Sequence, residues 1–174
     1  MKKIMIALLL ISLSTVFGGE LLLNGHWWKV KAAKHAGSFW QVDKENKVIR
    51  LEYPVVKEGD WDFLRCNVKT QDWTDKTTIS FDVKAISDKP LPSRHLGVML
   101  VASGSGNEQA YSRIGEVEPG KVQRITLDLN KLKPAVRKGV KSIAFYIWHA
   151  DFRRAGFEPG KDKVIFEISN FEVK

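Results

Sequence analysis

Cysteine is nearly absent. Cys66 is the single one among 174 residues, so no intramolecular disulfide can form, even in an oxidising compartment. It alternates in phase with Leu64 and Val68, the position of a small buried hydrophobe, and no local base stands by to activate it as a nucleophile. No run of five or more Lys/Arg occurs, and the basic residues are scattered singly along alternating segments. That pattern gives no dedicated polyanion tail and no nucleic-acid partner, although the formal net charge is +8. His-x-His, His-Glu-x-x-His and Gly-x-Ser-x-Gly are missing, so His26, His35, His95 and His149 form no metal motif and no serine nucleophile elbow is present. There is no Asn-x-Ser/Thr sequon either.

Long apolar runs are confined to the start of the chain. Lys2 and Lys3 precede a nearly continuous apolar stretch from Ile4 to Phe17, and Val16 and Gly18 supply a small-residue exit. This predicts a secretory signal peptide over residues 1–18, cleaved to leave one domain over 19–174. The run is shorter than the roughly 20 apolar residues that span a bilayer. No cysteine follows it to carry a lipid, so no membrane attachment is expected after cleavage. The expected location is secreted or periplasmic.

Period-2 alternation dominates the remainder. "KVIRLEY" sets Ile49, Leu51 and Tyr53 against Arg50 and Glu52. "TTISFDVKA" sets Ile79, Phe81 and Val83 against Ser80 and Asp82. Val98 with Leu100, Ile125 with Leu127, and Phe145 with Ile147 continue the series. "DKVIFEISNFEV" closes the chain as a long strand with a bulge expected near Ser169-Asn170. Turn clusters such as "SDKPLPS", "SGSGN" and two copies of "EPGK" separate the runs. Only "LDLNKLKPAVRKG" is expected to hold a helical turn, kept short by Pro134 and Gly139. Eight or nine strands, each with one apolar face, predict an all-β domain folded as a two-sheet β-sandwich, a jelly roll.

The order of these segments resembles the carbohydrate-binding modules with a galactose-binding-domain-like jelly roll that accompany bacterial glycoside hydrolases. The resemblance runs from "HWWKV" through "VIRLEY", "DWDFLRCNV", "DWTDKTTISFDVKA", "GVMLVASG" and "YSRIGEVEPGKVQRITLDLNKL" to "VKSIAFYIWH" and "VIFEISNFEV". It covers roughly residues 20–174, and "EPGKVQRITLDLNKL" followed by "VKSIAFYIW" carries most of it. It implies a poly- or oligosaccharide ligand and a secreted glycoside hydrolase as partner. Many members hold a structural calcium with an Asp in the last strand; here Ser169 stands in that place. Glu20 and Glu167 are the remaining nearby carboxylates, and no loop offers the dense acidic set that calcium prefers. No cofactor is expected, with structural calcium left open.

Sugar recognition needs flat rings for pyranose faces and polar groups for hydroxyls. Six tryptophans are present. Trp148 is out of phase with the apolar residues of its strand and Tyr146 shares its face; a platform and a Trp buried under the 151–160 segment are both open. Arg65 is out of phase with Leu64 and Cys66. Trp61 lies at a loop-to-strand junction. Tyr111 and Arg113 follow the "SGSGN" loop. At least two of Trp27, Trp28 and Trp40 are expected to serve packing, and Trp73 to plug a sandwich end. The expected ligand-binding set is Trp148, Tyr146, Tyr111, Arg65, Arg113, Trp61, His149 and Asp151, with Arg153 and Arg154 as loop tethers. His149 and Asp151 form the one pair suggestive of catalysis, but no nucleophile motif accompanies them. Nor do Asp60, Asp62, Asp82 and Asp128, which sit beside turns or between core residues, pair as a glycosidase requires. The reading is therefore a non-catalytic binding module. The alternatives are a structural or protein-interaction sandwich associated with a larger secreted enzyme and, from the basic excess, an acidic-polysaccharide binder, which would need Arg50, Arg65, Arg113, Arg124, Arg153 and Arg154 to cluster.

Overall fold

Alternation in the sequence becomes ten strands in the structure, a computed structural model describing residues 18–29, 37–59, 61–102, 109–114 and 117–174. Residues 1–17 of the expected signal peptide 1–18, together with Asp60, His35 and the "SGSGN" loop, lie outside the described residues. The elements run α1 (Gly18–Leu23), β1 (His26–Lys29), β2 (Phe39–Asp43), β3 (Val48–Pro54), β4 (Trp61–Gln71), β5 (Thr78–Ile86), β6 (Leu96–Ala102), β7 (Gln109–Ile114), β8 (Val122–Asp128), α2 (Pro134–Lys138), β9 (Val140–Trp148), α3 (His149–Arg154) and β10 (Lys163–Val173). Two five-stranded sheets form: sheet A in the order β1-β4-β9-β6-β7, sheet B in the order β2-β3-β10-β5-β8. All the strand pairs within them are antiparallel. This is the expected β-sandwich.

The core lies between the sheets. Leu64, Cys66, Val98, Leu100, Phe145 and Ile147 from sheet A meet Ile79, Phe81 and Val83 from sheet B, and all are buried. Fully burying a large apolar side chain contributes roughly 1.5–3 kcal/mol, so the period-2 phase fixes which face turns inward. Ile125 and Leu127 join this core from the edge strand β8, half-buried. Cross-sheet contacts are specific. Phe81 meets Phe145 edge-on at 5.6 Å between centroids, and the Tyr53 hydroxyl donates to the Phe145 carbonyl at 2.8 Å. Trp27 and Trp73 are buried and Trp40 packs against the core, as expected.

The bulge falls where the apolar phase breaks. The β10–β5 register shifts between Ser169 and Glu172, Asn170 takes a φ of 48°, and its side-chain amide donates to Asp82 at 2.7 Å. The turn after β8 is capped by Asp128, which accepts from the Asn130 N–H at 2.9 Å. Pro134 then opens α2, where its missing N–H loses nothing.

Two helices differ from expectation, α1 at Gly18–Leu23 and α3 at His149–Arg154. Residues 149–154 form α3 instead of an irregular loop. Phe152 is fully buried on its inner side and meets Phe157 edge-on at 5.1 Å. Asp151 in its first turn and Arg153 and Arg154 in its last suit the helix dipole. Packing of Phe152 thus overrides the turn-like composition of the segment.

Candidate functional site on the outer face of sheet A

The two outer faces carry opposite chemistry. Sheet B turns out charged side chains in bonded ladders. Arg50 pairs with Glu167 at 3.1 Å, Lys163 with Glu52 at 2.9 Å, and Arg124 with Asp82 at 3.2 Å and Glu172 at 2.9 Å. Sheet A turns out aromatics. Residues directly opposite on neighbouring strands share a face, so the registers assemble three cross-strand rows. Trp148 stands opposite Trp61. Arg113, Gly97, Tyr146 and Phe63 form the second row, and Tyr111, Met99, Ala144, Arg65 and Trp28 the third.

Within these rows the rings make one cluster. Trp61 and Trp148 stack at 4.8 Å between centroids and 13° between planes. Trp61 also stacks on Phe63 at 5.8 Å and leans on Tyr146 at 5.2 Å. Trp61, Phe63 and Trp148 are half-buried. Beside them on the same face, Met99, Val101 and Ala144 pack with Tyr146 as a buried apolar floor. The Arg65 guanidinium lies 5.0 Å from the centre of the Trp28 ring, a cation–π arrangement that holds the charge in place.

Of the expected ligand-binding residues, the structure gathers Trp61, Trp148 and Arg65 on this face, with Asp151 at its rim. Asp151 lines a small crevice with Arg94, Tyr146 and Trp148 and pairs with Arg154 at 3.1 Å. Tyr111 and Arg113 take positions in the same rows by register, while their side chains lie outside the described part. Tyr146 belongs to the floor. It is 3% exposed, and a Cβ on Gly97 would lie 2.1 Å from its ring. That ring is sandwiched between the Gly97 backbone and the Trp61–Phe63 pair, so it presents no stacking surface.

His149 is not on the face. Its position continues the inward phase of Phe145 and Ile147, and it is 0% exposed. Its Nε2 lies 3.8 Å from a carboxylate oxygen of Asp62, itself 1% exposed. The Ser38 hydroxyl donates to the other Asp62 oxygen at 3.0 Å. Burial raises the Asp62 pKa, opposed by the Ser38 hydrogen bond and Lys29. In this trio the hydroxyl donates to the carboxylate and not to the imidazole, and all three groups are sealed from solvent, so the geometry is that of a structural network. Arg153 is a tether: it donates to the Val56 carbonyl at 2.9 Å, tying α3 to the segment after β3.

Other candidate chemistry lies elsewhere. Burial pushes the Cys66 thiol up to about 12, which removes thiolate character. Among the described residues no three His, Cys, Asp or Glu gather as metal ligands, and Glu167 is held by Arg50 and Lys84. A cavity of about 230 Å³ lies by α1 and the β10 bulge, lined by Glu20, Lys47, Ile49, Ile168 and Phe171 among others. Its one ring, Phe171, is buried and stacked on Phe81, so it offers no platform.

Trp28 and Phe63 are the site residues that sequence reasoning missed. Phe63 shares the phase of Trp61 and Arg65. Of the adjacent Trp27 and Trp28 in a strand, one must face outward.

The fold defined by these two sheets is that of the β-sandwich carbohydrate-binding modules. The family 11 carbohydrate-binding module from Clostridium thermocellum, in complex with a β-1,3-1,4-mixed-linked tetrasaccharide, matches with a TM-score of 0.56 and 15% identity, over 87% of this chain and 88% of that one. The same family's module from the cellulosomal cellulase of that organism matches at 0.53 and 14%, over 85% of each chain. An exo-β-agarase matches at 0.55 and 13%, over 85% of this chain and 23% of the agarase. No family model and no curated protein matches the sequence. At these identities the likeness is one of fold.

Proposed function

We propose that the protein is an exported, non-catalytic carbohydrate-binding module that holds a poly- or oligosaccharide against the outer face of sheet A. The observation that carries this reading is the half-buried Trp61–Trp148–Phe63 cluster, stacked on a sheet whose counterpart is covered by ion pairs. Rings of this kind match the apolar faces of pyranoses. Arg65 and Asp151 border the cluster, one a fixed donor array and the other an acceptor, as sugar hydroxyls require. The sandwich shared with carbohydrate-binding modules, and its match to 23% of an agarase chain, support a role beside a glycoside hydrolase. The apolar run before Gly18 supports export.

Affinity electrophoresis of the mature chain through gels containing mixed-linkage β-glucan, agarose, galactan or polyuronate tests the proposal. Retardation in at least one gel, lost in Trp61→Ala, is the expected result. The half-buried Trp61, Phe63 and Trp148 also suit a protein interface, where aromatic residues are enriched. Migration unchanged in every gel would overturn sugar binding and leave that second reading.

A further inference from the structure

Among the described strand positions of the proposed sugar-binding face, the charged side chains are basic. The outward positions on β1, β4, β6, β7 and β9 include Arg65, Lys69 and Arg113, and none of them is an Asp or Glu. The outward positions of sheet B instead include Asp43, Glu52, Asp82, Asp128, Glu167 and Glu172, several of them bonded to cations. This asymmetry does not follow from composition, since the chain has 20 acidic and 28 basic residues. Carboxylates are used freely at the outward strand positions of sheet B and not at those of sheet A, whose strand carboxylate, Asp62, faces inward.

A face of neutral aromatics needs no such exclusion if its ligand is neutral. Hydroxyl recognition works equally well through Asp, Asn, Glu or Gln. An anionic ligand, in contrast, is repelled by every carboxylate within about a Debye length, about 8–10 Å at ordinary salt. It gains from a guanidinium that can bind a carboxylate or sulfate in bidentate fashion. Arg65 is placed for this. It sits in the middle strands of the sheet, in the row between Ala144 and Trp28, and the Trp28 ring holds it in register. Arg113 occupies the next row, opposite Gly97. Arg94 lines the crevice by Trp148 at the rim, and the one carboxylate there, Asp151, is paired with Arg154.

We infer that the ligand is an anionic glycan, one whose sugar rings stack on Trp61 and Trp148 while a carboxylate or sulfate group meets Arg65. The inference rests on the sugar-binding reading of the same face and narrows its ligand class. Cationic groups on such a face steer anionic chains and exclude wrong partners as much as they add affinity.

The test is isothermal titration of the mature protein with paired oligosaccharides, a polyuronate fragment and its carboxyl-reduced neutral counterpart, and a sulfated galactan fragment and its desulfated counterpart. Titrations are run at low salt and at about 0.5 M NaCl. At least one anionic member is expected to bind roughly tenfold tighter than its neutral partner, and to lose about three- to tenfold in affinity at high salt. Arg65→Gln should remove most of that preference, Arg65→Lys should restore part of it, and both should keep the melting temperature close to that of the parent. The salt titration of the unsubstituted protein stands even if an Arg65 variant is poorly folded. Neutral and anionic members binding equally, without salt dependence, would overturn the charge inference and leave sugar binding intact. Binding of none of the four would overturn this inference, while sugar binding itself stands or falls with the gel series that includes mixed-linkage β-glucan and agarose.

Discussion

Trp61 and Trp148 stand directly opposite one another on β4 and β9, their rings 4.8 Å apart and 13° from parallel. Each ring therefore holds the other in orientation, and each is followed in sequence by a buried polar residue, Asp62 after Trp61 and His149 after Trp148. The outward aromatic pair is thus backed by the inward Asp62–His149–Ser38 network across the same two strands.

Truncating either ring should separate binding from folding. Trp61→Ala and Trp148→Ala are each expected to weaken glycan affinity by about 2 kcal/mol or more, as aromatic anchors at binding centres do. The loss of the ring pair should lower stability by only about 0.5–1.5 kcal/mol beyond the lost burial, because both rings are half-buried. Melting temperature and affinity measured on the same preparations decide it. A loss of 3–5 kcal/mol in folding stability with binding retained would make these rings core and not platform.

Gly97 is the position at which the floor tolerates least. A methyl group there would lie 2.1 Å from the Tyr146 ring carbon Cζ, so the ring must move, and with it Trp61 and Phe63, which lean on it at 5.2 and 5.1 Å. Gly97→Ala is expected to cost about 1–3 kcal/mol as an overpacking change and to alter the near-ultraviolet circular dichroism of the tryptophans. An unchanged aromatic spectrum would show that the ring accommodates the methyl group without disturbing its neighbours.

Cys66 should be chemically silent. It is buried, its pKa pushed up to about 12, and its sulfur lies 3.9 Å from the Leu22 carbonyl. Native protein at pH 8 is expected to resist a thiol-labelling disulfide reagent that reacts at once after denaturation. Cys66→Ala should fold, at a cost of about 1 kcal/mol. Rapid labelling of the native state would contradict the burial.

Much of this arrangement was legible in the sequence, and the failures have physical causes. Alternation revealed the core because a buried sheet face tolerates no slip of one residue: Leu64, Cys66, Phe145 and Ile147 face inward as their phase requires. The β10 bulge was visible where that phase broke. The same alternation puts His149 in the inward phase of Phe145 and Ile147, but its place beside Trp148 and its spacing to Asp151 put it in the expected ligand-binding set. Helix α3 was hidden because it is held by tertiary contacts, the burial of Phe152 and His149 and the Arg153 tether to Val56, and not by local propensity. Tyr146 has the phase of a platform and the environment of a floor. Only the pairing of β9 with β6 shows that it rests on a glycine.

The Asp62 carboxyl gives a pH signature whose sign is fixed by its burial. Its folded pKa is raised, chiefly by desolvation, above an unfolded value near 3.9. Between the two values the folded state binds more protons than the unfolded one, so this group's contribution to stability falls as pH rises upward from about 4. Asp62→Asn keeps an oxygen to accept from Ser38 and removes the titration. The difference in unfolding free energy between parent and variant is expected to change across that range and become flat above the folded pKa. A pH-independent difference would show that Asp62 ionises in the folded protein as it does in the unfolded chain.

Sheet B provides the control that ties binding to one face. Arg124 joins three strands: it donates to Ser80 at 2.7 Å and to the Asn170 carbonyl at 2.8 Å, and it pairs with Asp82 and Glu172. These contacts pin the β10 bulge against β5 and β8. Single exposed ion pairs contribute little, but this guanidinium also satisfies a backbone carbonyl and a buried serine, so Arg124→Ala is expected to cost about 1–2 kcal/mol. The change lies on the opposite side of the sandwich from Trp61 and Trp148, with the whole core between them, and distant substitutions act independently. Glycan affinity should therefore stay within about twofold of the parent at a temperature where the variant is fully folded, while its melting temperature drops. A parallel loss of affinity would place the glycan on sheet B or across the sandwich edge, against the aromatic face argued from Trp61 and Trp148.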